Sequence, residues 1–300
     1  MSEIFDALLK AQRDVQREAK AKEAPVGGRE VGPSEPQREP RRTPSRQRRT
    51  ARSRWPHWLA RNGKRPSPEI SPELLISPEG DGQMAEPFRV LRSTLLGLGS
   101  GMFMITSPLD GEGKTLSAAN LAISLALPST RDVILVDLDL RRPSLDSRLG
   151  VKPALGTIDC LQGKAKWQDC LSPTAYPHLR FLPAGTATKH APELLASDGL
   201  RAMLEDLRVL AQSHFVIVDT PPILLASDPL LLANQMDHVL LMVRAGTTPR
   251  SALLKAVEAI GTDKLLGVVF NEATVQPSDY YRYGKHHLYY GYNSGTEPIA

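Results

Sequence analysis

Cysteines and long apolar runs are both scarce in this sequence of 300 residues, and each scarcity excludes a class of protein. Only Cys160 and Cys170 are present, which is too few for a disulfide framework, and no His or Cys pair has the spacing of a zinc site. No apolar run approaches the roughly 20 residues of a membrane-spanning helix, and the first residues lack the apolar core of a secretory signal. These two absences predict a protein of the cytoplasm, and a hydrophobic content of 41% supports a folded core.

Positive charge is concentrated in one segment. Residues 26–70 hold eleven Arg and one Lys against four Glu, whereas the whole chain carries only +4. The surrounding stretch, 21–80, is rich in Pro, Ser and Gly, a composition that buries too little apolar surface to fold and predicts a disordered linker. Such a linker is either simply solvated or binds nucleic acid or anionic lipid by charge. Residues 1–20 predict a short amphipathic helix, either solvated or docked on a partner or a membrane surface.

Residues 81–275 alternate between short apolar strands and helical stretches, one of which covers about 192–211. The predicted strands are continuously apolar and lie at about 101–106, 133–136, 179–182, 215–218, 239–243 and 265–270. This alternation predicts an α/β fold of three layers, with a mostly parallel central sheet and helices on both faces. Residues 276–300 lose the pattern and predict a flexible tail.

A phosphate-binding loop is the strongest chemical signal in the sequence. The segment Ser107-Pro-Leu-Asp-Gly-Glu-Gly-Lys-Thr115 follows an apolar strand and opens a helix, as a P-loop does, although Pro108 replaces the first Gly of the usual motif. The amides of such a loop attract phosphate, so we expect Lys114 to contact the β- and γ-phosphates of ATP and Thr115 to ligate Mg²⁺. The predicted nucleotide-binding residues of the loop are Gly111, Glu112, Gly113, Lys114, Thr115 and Leu116.

Acidic residues end two of the apolar strands. Asp137 and Asp139 are two residues apart and point to one side of an extended chain, and a second strand ends in Asp219. Ligands of open α/β folds bind at this carboxyl edge of the sheet, so the acids and the loop predict a shared Mg-ATP site. Thr115, Asp137 and Asp219 are predicted to position Mg²⁺, and Asp139 to orient or deprotonate an incoming hydroxyl. Lys114, Asp137 and Asp139 are the predicted catalytic residues.

Taken in order, these segments resemble the motifs of the bacterial tyrosine kinases that regulate capsule and exopolysaccharide synthesis. That family carries a modified Walker A loop, a Walker A′ motif of the form D-x-D-x-R, here Asp137-Leu-Asp139-Leu-Arg141, and a Walker B strand, here ending in Asp219. The resemblance covers about residues 84–293. It implies the P-loop NTPase fold, ATP and Mg²⁺ as cofactors, and protein tyrosine kinase activity.

The resemblance also implies roles outside the loop and the acids. The segment Glu86-Pro-Phe-Arg89-Val-Leu-Arg92 fits the family's E-x-x-R-x-x-R pattern, which is associated there with assembly into ring-like homo-oligomers. Asn271 is implied to lie near the adenine. Family members usually need a membrane-embedded activator, so a separate transmembrane polysaccharide co-polymerase is implied, with a cognate tyrosine phosphatase and a peripheral position at the inner face of the plasma membrane. Nucleic acid is not an expected partner.

Tyrosine is clustered at the C-terminus. Six of the seven tyrosines lie in the last 21 residues, at Tyr280, Tyr281, Tyr283, Tyr289, Tyr290 and Tyr292. By itself the cluster has three interpretations: a substrate for autophosphorylation, a surface that stacks on single-stranded nucleic acid, or aromatics that pack back on the domain. Together with the kinase resemblance, it predicts phosphorylation in trans by a neighbouring subunit.

The sequence therefore predicts an ATP-dependent tyrosine autokinase that regulates exopolysaccharide or capsule synthesis or export. Two alternatives stay open. A partition-type positioning ATPase would share the fold, but it would carry a signature lysine where this chain has Leu109. A nucleotide-bound scaffold without catalysis would bind ATP and transfer nothing.

Overall fold

The structure is a computed structural model, and it describes most of the predicted α/β domain. The described residues are 74, 76–77, 80–81, 86–127, 132–225 and 228–273. The predicted N-terminal helix over 1–20, nearly all of the predicted linker and the tyrosine-containing tail lie outside these residues.

A mostly parallel sheet of seven strands forms the centre of the domain. The described residues form nine strands, of which β3 to β9 make up this sheet: β1 (Ile76–Ser77), β2 (Gly80–Asp81), β3 (Gly101–Thr106), β4 (Val133–Asp137), β5 (Ser172–Pro173), β6 (Leu179–Leu182), β7 (Phe215–Asp219), β8 (His238–Arg244) and β9 (Leu265–Asn271). The large sheet has the order β5-β6-β4-β7-β3-β8-β9. Within it β5 runs antiparallel to β6, and the other neighbouring strands are parallel.

Helices cover both faces of this sheet, which confirms the predicted three-layer fold. They are α1 (Glu86–Leu98), α2 (Lys114–Ala126), α3 (Leu145–Arg148), α4 (Thr157–Leu161), α5 (Trp167–Cys170), α6 (Ala191–Leu195), α7 (Asp198–Ala211), α8 (Asp228–Asn234) and α9 (Arg250–Ile260). One core cluster contains residues of α7, α8 and α9, and the opposite cluster contains residues of α1 and α2. All residues of β3, β4 and β7 are buried between these layers, which explains why they are apolar without alternation.

The helix predicted over 192–211 is in fact two helices, α6 and α7. The chain breaks at Ser197, whose backbone is extended and whose hydroxyl accepts a hydrogen bond from the N–H of Leu200 at 3.2 Å. A serine that accepts from the third residue of the following helix is an N-cap. Capping therefore starts a new helix where apolar periodicity alone predicts a continuous one.

The short strands β1 and β2 pair antiparallel in a separate sheet. The nearby Leu74 is buried and belongs to the core cluster on the α1 and α2 side. Leu74 and β1 lie within the 21–80 range assigned to the linker, and β2 begins at its last residue, so defined contacts reach into the end of that range.

Two adjacent leucines of α1, one buried and one partly exposed, allow a test of how the packing of this helix stabilises the domain. Leu95 is completely buried, whereas the adjacent Leu96 is 37% exposed. We expect Leu95→Ala to lower the free energy of unfolding by about 2–5 kcal/mol, because it removes buried methyl groups and leaves a cavity, and Leu96→Ala to cost less than about 1 kcal/mol. Urea unfolding of the two variants measures the difference, and equal costs would contradict this packing.

Candidate nucleotide site

The strand order brings the predicted loop and the predicted acids to one edge of the sheet. Strand β7 lies between β3 and β4, and Asp137 at the end of β4 is the register partner of Asp219 at the end of β7. Asp219 is also the register partner of Ile105 in β3, the strand that leads into the phosphate-binding loop. Because parallel strands end at the same edge, residues that are distant in sequence meet here.

Two glycines shape the loop between β3 and α2. Gly111 and Gly113 have φ values of 76° and 85°, in the left-handed region that glycine adopts without strain. Gly113 directly precedes α2, which begins at Lys114. A Cβ atom on Gly113 would lie 2.0 Å from the side-chain nitrogen of Asn271, so glycine is also needed there for close approach. The loop thus has the backbone geometry and the helix start of an anion-binding loop.

Lys114 is buried at this edge and paired with an acid. Its Nζ lies 2.7 Å from Oδ2 of Asp139, and the two side chains are 10% and 9% exposed. It also donates to the Thr115 hydroxyl at 3.2 Å. Burial by itself lowers the pKa of Lys114, but the surrounding carboxyls outweigh burial and raise that pKa above its ordinary value. Lys114 is therefore a positively charged group held inside a cluster of acids.

The two acids that end β4 and β7 are more deeply buried than Asp139. Burial, followed by the charges of Asp219 and Asp139, raises the pKa of Asp137 well above its usual range. Burial raises the pKa of Asp219 to about 6, although the charge of Lys114 and the nearby Thr115 hydroxyl favour its ionised form. One oxygen of Asp137 accepts the N–H of Asp139 at 3.0 Å. Neither carboxylate oxygen of Asp219 has a hydrogen-bond partner among the described residues.

This donor set fits a hydrated Mg²⁺ ion. Two buried carboxyls, those of Asp137 and Asp219, end neighbouring strands at paired positions, and neither oxygen of Asp219 has a hydrogen-bond partner among the described residues. Within the described residues, no group of three or more His, Cys, Asp and Glu side chains is arranged to hold a metal ion. Mg²⁺ does not need such a group, because it keeps several waters and takes substrate phosphates as ligands alongside one or two carboxylates.

Three other residues of the predicted nucleotide set have different surroundings. The carboxyl of Glu112 is buried inside the loop, where it accepts from the N–H of Leu109 at 2.7 Å and is bonded to the Thr248 hydroxyl. The Asn271 amide donates to the carbonyl of Glu112 at 3.2 Å, so it lies against the loop backbone. Leu116 is partly buried against the core. Thr248 was missed by sequence reasoning, because a threonine in a turn carries no signal of its own.

The residues predicted to mediate assembly lie on α1. Arg89 pairs with Glu86 on the surface of the same helix at 2.9 Å. Arg92 is half-buried and donates to the carbonyl of Ser124, near the end of α2, at 3.4 Å. Of the three, Arg92 is therefore also engaged within its own domain.

The comparisons with known proteins agree with this geometry. The tyrosine-protein kinase YwqD of Bacillus subtilis (strain 168) is 33% identical over 182 residues, which are 60% of this chain and 76% of YwqD. The chain belongs to the family of bacterial tyrosine-protein kinases. Of the solved structures, the VpsO kinase domain matches with a TM-score of 0.58 and 32% identity, over 63% of this chain and 95% of that domain.

A longer relative carries the name of a polysaccharide system. The succinoglycan biosynthesis transport protein ExoP of Rhizobium meliloti (strain 1021) is 32% identical over 237 residues, which are 72% of this chain but only 29% of ExoP. No family model matches the chain. Membership of the kinase family decides against the partition-type ATPase considered from the sequence.

The burial of Asp219 at the end of β7 leads to a prediction about stability. The pKa of Asp219 is raised from its ordinary 3.8 to about 6, so its ionisation destabilises the folded chain, and stability is lost as the pH rises from about 4 to about 6. An amide in place of this carboxyl would stay neutral at every pH. We therefore expect Asp219→Asn to raise the free energy of unfolding of the nucleotide-free chain by about 2–3 kcal/mol at neutral pH.

Urea unfolding at about pH 4 and about pH 7 measures this effect, and the gain should disappear at the lower pH. The exposed Asp263 provides the control, because Asp263→Asn removes a charge that water already solvates. A variant Asp219→Asn that is less stable than the parent at neutral pH would show that the Asp219 charge stabilises the fold.

Proposed function

We propose that this chain is an ATP-dependent protein tyrosine kinase that phosphorylates the tyrosine cluster of another copy of itself. The observation that carries the proposal is the buried, charged Lys114, which stands at the start of α2 among three carboxyls. A fixed cation beside a loop of glycines suits the transfer of a phosphoryl group, because that reaction needs positioning and charge stabilisation.

Thr115, Asp137 and Asp219 would hold Mg²⁺. When bound, the ion neutralises charge on the phosphates of ATP. Asp219 supports this assignment because its buried oxygens have no partner among the described residues, and a cation would compensate the cost of burying them.

Lys114 and Asp139 would work in sequence. Lys114 binds the phosphates of the incoming ATP, and this exchange of partners releases Asp139 from its ion pair. The freed carboxylate accepts the proton of a tyrosine hydroxyl. A bond forms between the phenolic oxygen and the γ-phosphorus, the bond from that phosphorus to the bridging oxygen breaks, and ADP leaves. Asn271, with its amide on the loop backbone, would sit at the edge of the nucleotide.

The substrate would be the tail of a neighbouring subunit in a ring-like homo-oligomer. Its tyrosines lie at the C-terminal end of the sequence, and Glu86, Arg89 and Arg92 of α1 would contribute to the subunit interface. Each phosphate adds about −1.5 to −2 charge at neutral pH. Several phosphates would make the tail strongly acidic, and repulsion between crowded tails would favour dissociation of the ring.

The biological setting would be exopolysaccharide or capsule synthesis or export, as the name of ExoP suggests for that relative. No helix among the described residues has the length and apolar character needed to cross a membrane. A separate transmembrane co-polymerase would act as activator and hold the kinase at the inner face of the plasma membrane, and a cognate tyrosine phosphatase would reverse the modification.

Phosphate mapping tests the proposed reaction. After incubation of the full chain with Mg-ATP, we expect mass spectrometry to find phosphotyrosine within residues 280–292. Lys114→Met and Asp139→Asn should each reduce its rate of formation by about 100-fold or more, because each removes a group that acts on the reacting atoms. Lys152→Met, which removes an exposed lysine, should leave the rate unchanged.

A mixture tests transfer between copies. When the parent is incubated with tagged Lys114→Met, phosphate on the tagged tail must come from another molecule. An unmodified tail on the tagged copy beside a modified parent would contradict transfer in trans. A parent that stays unmodified even with its membrane activator would contradict the kinase proposal itself.

A further inference from the structure

Glu112 is an acidic residue in a loop that is proposed to bind phosphate. It stands between Gly111 and Gly113, which both have left-handed backbone conformations. Its side chain is nevertheless buried, with the residue only 3% exposed. An ionised carboxyl that faced the phosphates would repel them, so the position of this side chain matters for the loop's function.

Both oxygens of the Glu112 carboxyl are engaged by the protein. Oε2 accepts a hydrogen bond from the N–H of Leu109 at 2.7 Å, and Oε1 is hydrogen-bonded to the Thr248 hydroxyl. The oxygen of that hydroxyl accepts the N–H of Arg244 at 2.8 Å. The hydroxyl proton is therefore directed at Glu112, and each carboxyl oxygen of Glu112 already has a protein partner.

The threonine that holds Glu112 belongs to a fixed turn after β8. The N–H of Thr248 donates to the carbonyl of Arg244 at 3.0 Å, and the N–H of Ala245 donates to the carbonyl of Asn271 at 2.9 Å. Asn271 in turn donates from its side chain to the carbonyl of Glu112 at 3.2 Å. Glu112 is thus held through both its side chain and its main chain by the ends of β8 and β9.

We infer that Glu112 and Thr248 form a clamp that positions the amides of the phosphate-binding loop. Glycines on both sides of Glu112 leave the loop many backbone conformations, and a side chain fixed between them restricts the peptide planes that point at phosphate. Restricting the loop before binding lowers the entropic cost of binding nucleotide. This inference rests on the proposed ATP binding, and it makes Glu112 a positioning residue in place of the nucleotide ligand predicted from the sequence.

Two neighbouring threonines provide a matched test. Thr248→Val keeps the shape and removes the hydroxyl, Thr248→Ser keeps the hydroxyl, and Thr247→Val makes the same change at an exposed side chain. Calorimetric titration of the full chain with Mg-ADP measures affinity without turnover. We expect Thr248→Val to raise Kd about tenfold, because a buried carboxyl oxygen loses its donor, and Thr248→Ser and Thr247→Val to stay within about twofold of the parent.

Kinetic measurements of tail phosphorylation provide a second test of the clamp. For tail phosphorylation, Thr248→Val should raise KM for ATP about tenfold and change kcat less than about threefold, because the clamp acts on binding and does not touch the reacting atoms. A Kd within about twofold of the parent, or equal losses in Thr247→Val and Thr248→Val, would overturn the clamp. A parent that binds no Mg-ADP would overturn the proposed function as well, so the two failures are distinguishable.

Variants of Glu112, the second residue of the clamp, provide an independent test. They replace the threonine test if Thr248→Val does not fold. Glu112→Ala should weaken Mg-ADP binding about tenfold, while Glu112→Gln, which can accept from Leu109 and donate to Thr248, should stay within about threefold. Adding Thr248→Val to Glu112→Ala should cause less than about a further twofold loss, because the two residues act on one bond. Tighter binding in both Glu112 variants would instead indicate simple charge repulsion and refute the clamp.

Discussion

A single buried cation among three carboxyls is the interaction on which the site depends. Lys114 is paired with Asp139 at 2.7 Å, while Asp137 and Asp219 end neighbouring strands beside it. Removing carboxylates from water costs several kcal/mol each unless they are compensated, and the charge of Lys114 offsets this cost only in part. Burial raises the pKa of Asp219 to about 6 even though the charge of Lys114 favours the ionised form. The buried acids therefore lower the stability of the fold, and the same carboxyls form a cluster that attracts cations.

The topology of the sheet makes this cluster possible. Strand β7 lies between the strand that leads into the loop and the strand that ends in Asp137. Since the central strands β3, β4 and β7 are buried along their whole length, their carboxyl ends are the places where polar groups can meet a ligand. The core holds these ends in register, so that Asp137 and Asp219 lie at the same edge of the sheet as Lys114.

Much of this arrangement could be predicted from the sequence, because local signals carried it. Apolar runs marked the strands, and the sequence around Lys114 marked the loop. The order of the strands could not be predicted in this way, because it depends on contacts between distant residues. The break at Ser197 was missed because apolar periodicity continues across it, although a cap starts a new helix there. Nothing in the sequence separates Thr248 from Thr247, since only the folded turn directs one of them at the loop.

C-terminal truncations of this protein should keep the whole of β9 and the residues just after it. The first tyrosine of the tail, Tyr280, is only eight residues after Glu272 in the sequence. Asn271 contacts the loop backbone, and Glu272 pairs with Arg244 at 2.8 Å. A deletion that starts before residue 273 would remove the proposed substrate and damage the candidate nucleotide site together. Loss of phosphotyrosine in such a fragment would then have two causes, whereas a deletion that starts after residue 273 keeps the described contacts and removes only the proposed acceptor.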